Sequence, residues 1–217
     1  VAPRASSARE GQHRPEKGPY DMTVQAERDD QKIPQRSAAR DRLMSTAARL
    51  FYSEGIRAVG VDRVVEEAQV TRATFYRHFP SKEDLVSAYL QAEDQRIREL
   101  VEYGVKHAGS PEEAMGLLID GIGQEICAPG FRGCPFINAA AEYPDKQSTV
   151  HQAVLTHRSW FHGAIAQALR MGGHPDPGYG ADIMMALRDG AMVAGYLGDS
   201  GTAAASFGRA ARTLIAA

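Results

Sequence analysis

At 217 residues, 43% of them hydrophobic, the chain is long enough to bury a substantial core, as one large domain or as a small domain joined to a bigger one. Its charge is close to balanced, 25 Lys and Arg against 27 Asp and Glu, so bulk electrostatics alone do not point to a polyanion partner. Two cysteines are too few for a disulfide framework and have no histidine at zinc spacing, and no apolar run approaches a signal peptide or a membrane span; a reduced, cytoplasmic protein with no membrane partner is expected.

Charge is unevenly distributed. Residues 36–82 hold nine basic side chains against five acidic ones, whereas residues 83–217 hold ten against sixteen, a division that suits a polyanion partner for the first segment and solubility for the second. Residues 1–35, beginning VAPRASSAREGQHRPEKGPYD, are polar and rich in Pro and Gly, the composition of a disordered arm. Met22 lies inside this arm, which leaves the start of the functional protein open.

From Ala38 the pattern turns helical, with Leu43, Ala47, Leu50 and Phe51 on one face, and Gly55 ends the run. VDRVVEEA, residues 61–68, sets Val61, Val64, Val65 and Ala68 on one stripe and charges on the other, a short amphipathic helix. After Gln69 and Val70 comes VTRATFYRHFPSKEDL, residues 70–85, where Phe75 and Phe79 share a face and Pro80 blocks continuation. Ser81 with Asp84 three residues on starts a longer helix, and Ser110-Pro111-Glu112-Glu113 starts another. STVHQAVLTHRSWFHGAIAQALR repeats apolar residues at 150, 154, 161, 165 and 169, and ADIMMALRDGAMVAGYL and AASFGRAARTLIAA come after Gly- and Pro-rich breaks. No stretch alternates as a strand does, and the fold class is all-α with about nine helices.

Three short helices, the last two joined by a tight turn and the third polar on its outer side, describe a helix-turn-helix. Such a recognition helix shows polar side chains to base edges and phosphates while its back is anchored, here by Phe75 and Phe79. Arg72 in the first turn suits guanine and Thr74 a phosphate or thymine methyl; Tyr76, Arg77 and His78 suit the backbone. Lys82 adds its charge to the exposed N–H groups that open the next helix, a phosphate site.

The stretch VDRVVEEAQVTRATFYRHFPSKEDLV resembles the N-terminal signature of the TetR family of one-component bacterial repressors, in register over roughly residues 38–90. The resemblance implies DNA contacts at Thr71, Arg72, Ala73, Thr74, Tyr76, His78 and Lys82, with Arg63 on the preceding helix a further phosphate candidate. Two positions depart from it: Gln69 stands where the family often has Gly, and Gly60 where it often has Thr or Ser at the helix start. Gln69 is therefore expected to adopt a positive φ at some cost or to sit in a different turn, with an altered docking angle. The later stretch FRGCPFINAAAEYP resembles a connecting segment of many family members and names no ligand.

Candidate walls of an effector pocket are Met115, Leu118, Ile119 and Ile122, then Phe136 and Ile137, Trp160 and Phe161, and Met184 and Met185. Asn138, His157 and His162 are candidates to orient a polar group; all these residues equally suit a plain core. His151, His157 and His162, spaced by six and five, fall on different helix faces, so no metal site is expected, and Cys127 and Cys134 are expected to be buried, inert thiols. The sequence holds no Ser-His-Asp set, phosphate loop or paired carboxylates, so no catalytic residue, cofactor or enzymatic activity is expected. Small residues in RDGAMVAGYLG and the stripe Phe207, Ala210, Ala211, Leu214 and Ile215 are expected to form a homodimer interface through the last two helices.

The expected protein is a ligand-responsive regulator: an arm over 1–35, a helix-turn-helix DNA-binding domain over 36–84, and a ligand-binding and dimerisation domain over 85–217. As a dimer it would bind double-stranded DNA at a palindromic operator and be released by a small hydrophobic effector. The alternatives are a DNA-independent ligand-binding protein with a vestigial head and an α-helical enzyme; salt-sensitive binding to a palindrome separates the first reading from both.

Overall fold

Local punctuation sets the helix boundaries. In the computed structural model, which describes residues 37–216, the helices are α1 (Ala38–Glu54), α2 (Val61–Glu67), α3 (Arg72–His78), α4 (Lys82–His107), α5 (Pro111–Ile126), α6 (Pro135–Glu142), α7 (Thr149–Met171), α8 (Pro177–Leu197) and α9 (Ser200–Ile215). No strand occurs among the described residues, and the arm expected over residues 1–35, with Met22, lies outside them. Side-chain caps start most helices: Thr71 accepts the Thr74 N–H, Ser110 that of Glu113 and Ser148 that of His151. Ser81 and Asp84 form a reciprocal capping box at the head of α4.

The first three helices close on Leu43, Leu50, Val64 and Phe75, none more than 1% exposed. The link from α2 to α3 is a Schellman turn: the Val70 N–H donates to Val65 O and the Gln69 N–H to Glu66 O, both at 3.1 Å. Gln69 occupies the left-handed position of that turn, with φ 52°, and is the only described non-glycine residue with positive φ. The turn is thus the ordinary glycine turn with a Cβ forced into it. No interruption separates this head from the rest of the fold, since α4 runs unbroken through the boundary expected at 84/85.

Helices α4 to α9 pack around Leu90, Ile119, Ile126, Ile165, Met184 and Met192. α8 approaches α5 closely at Gly195, where a Cβ would fall 2.5 Å from Ile126 Cγ2. The last helix spends its apolar stripe on its own protomer: Phe207 and Ala211 are buried, and Ala210, Leu214 and Ile215 are half-buried. Of the expected dimer stripe, Phe207 and Ala211 therefore belong to the core beside α5 and α8, while Ala210, Leu214 and Ile215 are covered only in part. Cys134 is buried as expected, but Cys127, at the end of α5, is exposed, with its thiol 3.7 Å from Ser200 O. Among the described residues no helix is long and apolar enough to cross a membrane, and no cluster of metal-ligating side chains forms.

The strained turn generates a stability prediction. Left-handed backbone costs an L-residue about 1–2 kcal/mol, part of which glycine returns through its greater freedom in the unfolded chain, so Gln69→Gly should stabilise the fold by roughly 0.5–1 kcal/mol. Urea unfolding followed by circular dichroism measures it; a lower midpoint for Gln69→Gly than for the wild type would contradict the strain.

Candidate nucleic-acid interface and body cavity

Seven residues of α3 give two turns, enough to separate an inward side from an outward one. Phe75 and Phe79 point into the core, and Thr71, Arg72, Ala73, Tyr76 and Arg77 are exposed. Thr74 is partly buried, its hydroxyl 2.9 Å from that of the capping Thr71. Tyr76 is braced edge-on against Phe75 at 5.1 Å between ring centroids, which fixes a phenol that is 51% exposed. His78 is half-buried and its Nε2 lies 3.3 Å from Ser37 Oγ, tying the end of α3 to the start of α1.

Several basic groups proposed for DNA already have carboxylate partners. Arg72 Nε donates to Asp62 on α2 at 2.6 Å, and both side chains are exposed. The hydrogen bond and the charge of Asp62 raise the Arg72 pKa further above its ordinary value. Arg63 pairs with Glu67 and, at 3.6 Å, with Glu54, while Glu67 also pairs with Arg49; the bonds from Arg49 and Arg63 hold Glu67 below the usual carboxylate range. Arg63 is therefore part of an α1–α2 charge cluster rather than a free cation. Lys82 is half-buried; burial lowers its ammonium pKa, against the opposing charge of Glu142. The N–H groups beside it are only partly available, because Ser81 N–H donates to Asp84 Oδ2 at 2.9 Å and Asp84 N–H to Ser81 Oγ at 3.1 Å.

Two sets of hydrogen bonds tie α1 and the turn after it to the body, one at the end of α6 and one just before its start. At its C-terminal end Glu142 accepts the backbone N–H groups of Ile56 (2.9 Å) and Arg57 (2.5 Å), which come directly after the positive-φ Gly55 at the end of α1. Before its N-terminal end Tyr52 of α1 donates its hydroxyl to Gly133 O at 3.1 Å and accepts from Arg132 N at 2.9 Å. Neither Tyr52 nor Glu142 stood out in the sequence, since each bond joins residues more than eighty positions apart.

A cavity of about 600 Å³ lies between α4, α5 and α7, with Arg188 of α8 in its wall. Of the residues nominated from sequence, Met115, Leu118, Ile122 and Phe161 line it. The others do not, and each has a different occupation. Ile119, Met184 and Met185 fill the core, and Ile137 packs half-buried against it. Phe136 stacks on His157 at 3.7 Å, Asn138 donates to Arg132 O, and Trp160 lies under the Arg98 guanidinium at 4.1 Å. His162 faces Asp182 at 3.0 Å. Sequence reading missed the α4 wall, Ile97, Leu100, Val101 and Gly104, and missed Arg188.

His157, 3% exposed, donates from Nδ1 to Asp94 Oδ1 at 2.7 Å. Burial depresses its pKa below 6.5 even though Asp94 acts the other way. The Asp94 carboxylate is itself pushed up by burial, but Arg98 and His157 outweigh that and hold it below its ordinary value. Folded His157 therefore stays neutral where the unfolded chain takes up a proton, so stability is fully present above pH 6.5 and is lost as pH falls through that value toward the folded pKa. Chemical unfolding between pH 7.5 and 5 should show this fall, as an approximate window, and His157→Gln should flatten it; equal slopes in the two proteins would remove His157 as its source.

Comparison with known proteins adds independent findings. The model of "Bacterial regulatory proteins, tetR family" matches residues 43–89. A solved TetR-family transcriptional regulator from Streptomyces coelicolor, SCO4454, is 43% identical, superposes with a TM-score of 0.81, and aligns over 83% of this chain and 95% of its own. The reduced form of Escherichia coli NemR is 21% identical, with a TM-score of 0.71, over 81% of this chain and 96% of its own, and shares the fold. An HTH-type transcriptional regulator of Mycobacterium tuberculosis, Rv1255c, is 38% identical over 82 residues, which span 37% of this chain and 39% of that relative's length.

Proposed function

The chain belongs to the TetR family of DNA-binding bacterial transcriptional regulators, and from that premise we propose that it is a homodimeric repressor released from a palindromic operator by a small, largely apolar effector. The observation that carries this reading is the division of α3 into a buried Phe75–Phe79 side and an exposed side bearing Arg72, Thr71, Tyr76 and Arg77. Arg72 is assigned to a base edge, where it exchanges Asp62 for a bidentate acceptor. Thr71, Thr74, Ala73, Tyr76, Arg77, His78 and Lys82 are assigned to phosphates and groove contacts, and Arg63 only after it leaves Glu67.

The dimer is assigned to the outer side of α8 and α9. Ala186, Gly190, Val193 and Leu197 recur at helical spacing on α8 and are exposed, Leu197 at 76%, and a Cβ added at Gly190 would meet nothing within 4 Å in its own protomer. Ala205 and Arg209 continue that surface on α9. The cavity is the effector site, and α6 is the element through which it reaches the head, by Glu142 and Tyr52. An effector that favours one arrangement of α6 shifts the spacing of the two recognition helices by its differential affinity alone.

Titration of the chain's own upstream duplex at several salt concentrations tests the DNA assignment. Arg72→Ala should weaken the specific site by roughly 1–3 kcal/mol and relax preference at one base pair. Lys82→Ala should weaken specific and random DNA alike and flatten the salt dependence by about one unit of slope per half-site contact. Wild-type binding of every duplex by both variants would sink the assignment. Val193→Glu should yield monomers by light scattering, with operator binding lost; a Val193→Glu protein that is still dimeric places the interface elsewhere.

A further inference from the structure

The cavity wall carries a buried cation whose counter-charge is divided. Arg188 is 6% exposed and lies over the Phe161 ring, with Cζ 5.5 Å from the centroid. Its Nη1 donates to Asp189 Oδ1 at 2.9 Å and its Nη2 to Cys134 Sγ at 3.3 Å; a thiol is a weak acceptor. Both terminal nitrogens thus have a partner, but only one of the two partners is a charged acceptor. Asp189 is not a whole counter-ion either, because its Oδ2 lies 2.7 Å from Arg158 Nη2, so one carboxylate serves two guanidiniums. Asp94 is likewise shared, by Arg98 and His157. A guanidinium does not shed its proton, and a buried cation with incomplete pairing favours an incoming anion.

The rest of the wall constrains what that anion is attached to. Arg96 and Glu125 also border the cavity, but they are partly exposed and face one another at 3.7 Å, so the charge they add cancels near solvent. Beyond them the surface is apolar along α4 from Ile97 to Val105 and, apart from Asp120, whose carboxylate is paired with Arg212, along α5 from Ala114 to Ile122. Each of these nine-residue stretches spans about 12 Å, so the apolar wall runs along both helix axes. Leu100, Tyr103 and Leu117 are exposed at 59%, 64% and 47% and border the same cavity, so its outer portion is apolar up to the solvent.

We propose that this cavity takes an apolar monocarboxylic acid, its carboxylate on the Arg188 guanidinium and its hydrocarbon body in the slot between α4 and α5. The proposal rests on the reading of the cavity as the effector site. A single negative charge completes the pairing that Asp189 divides with Arg158, whereas an amine meets like charge and an alcohol leaves the guanidinium short of an anion. A volume of about 600 Å³ suits a drug-sized molecule and excludes a nucleotide-bearing conjugate of such an acid from full enclosure.

Isothermal titration of the full chain with decanoate, 1-decanol and decylamine at one neutral pH and fixed ionic strength tests it. Decanoate should bind at least about tenfold more tightly than decanol, as a charge-assisted contact implies, with decylamine weakest. Arg188→Met should bring decanoate and decanol to similar affinities, and Arg188→Lys should retain part of the preference. Should Arg188→Met fail to fold, the wild-type series and Arg188→Lys decide alone. Decanol or decylamine binding wild type as tightly as decanoate, or no binding of decanoate at millimolar concentration, overturns the proposal. Operator titration of the ligand-free protein is read separately: its failure removes the repressor reading and leaves the ligand series intact, while loss of the carboxylate preference leaves operator binding untouched.

Discussion

The carboxylate of Glu142 accepts the N–H groups of Ile56 and Arg57 and ties the turn after α1 to α6, alongside the unbroken α4 and the bonds of Tyr52. The turn after α1 contains Gly55 at φ 95°, so its amides point away from any helix and need an external acceptor. A carboxylate accepting from backbone N–H forms a charge-assisted bond, stronger than a neutral one, and here it does so twice. Side-chain substitution at residue 56 or 57 leaves both donors in place, whereas loss of the Glu142 carboxylate leaves two amides without their acceptor. The head is therefore oriented by its backbone and by one acidic group on a helix of the body.

That helix, α6, is short, and its surroundings connect the remaining features. Its N-cap is Cys134, which accepts from Arg188 in the cavity wall; its second residue, Phe136, is stacked on His157; its last residue is Glu142. These eight residues and their N-cap thus touch the cavity's cation, the buried Asp94–His157 pair and the head's turn. On the proposed effector role of the cavity, a shift of α6 caused at Arg188 would be passed to residues 56 and 57 through the bonds at its two ends.

Helix starts, the all-α class and the two-sided α3 were legible in the sequence because they rest on local chemistry. Ser81 with Asp84 and Ser110 with Pro111 act within one turn, and Phe75 and Phe79 meet by helical spacing alone. Gln69 was legible as a problem, and the Schellman hydrogen bonds resolve it in favour of the left-handed turn. The cavity was half legible, since the α5 pattern exposed Met115, Leu118 and Ile122 as one stripe, but nothing in sequence distinguishes a wall from a core. Met184 faces packed side chains and Ile122 faces space, and only the crossing of α4 over α5 decides which. Arg188 escaped notice because an arginine within a polar-looking RDG triplet reads as surface, whereas its burial is set by Asp189 and Cys134, the latter 54 residues away. On α9 the sequence pattern likewise did not separate core from surface: Phe207 and Ala211 are buried, and Ala210, Leu214 and Ile215 remain partly exposed.

The pairing of the head's own charges bears on selectivity. Arg72 pairs with Asp62, and Arg63 and Arg49 pair with Glu67, while Arg77 on α3 is exposed. The arginines of these pairs are exposed, so the pairs are salt-screened and add little to stability. Their effect is on competition. A phosphate offered by random DNA must displace a carboxylate already in place, and the exchange is close to neutral. A guanine at the right depth offers Arg72 two aligned acceptors and does better than Asp62 can with solvent on its other side. On the proposed assignment of Arg72 to a base edge, Asp62 would lower affinity for every duplex and lower it least where the base fits, so discrimination would depend on the acid on α2 as well as on the arginine on α3.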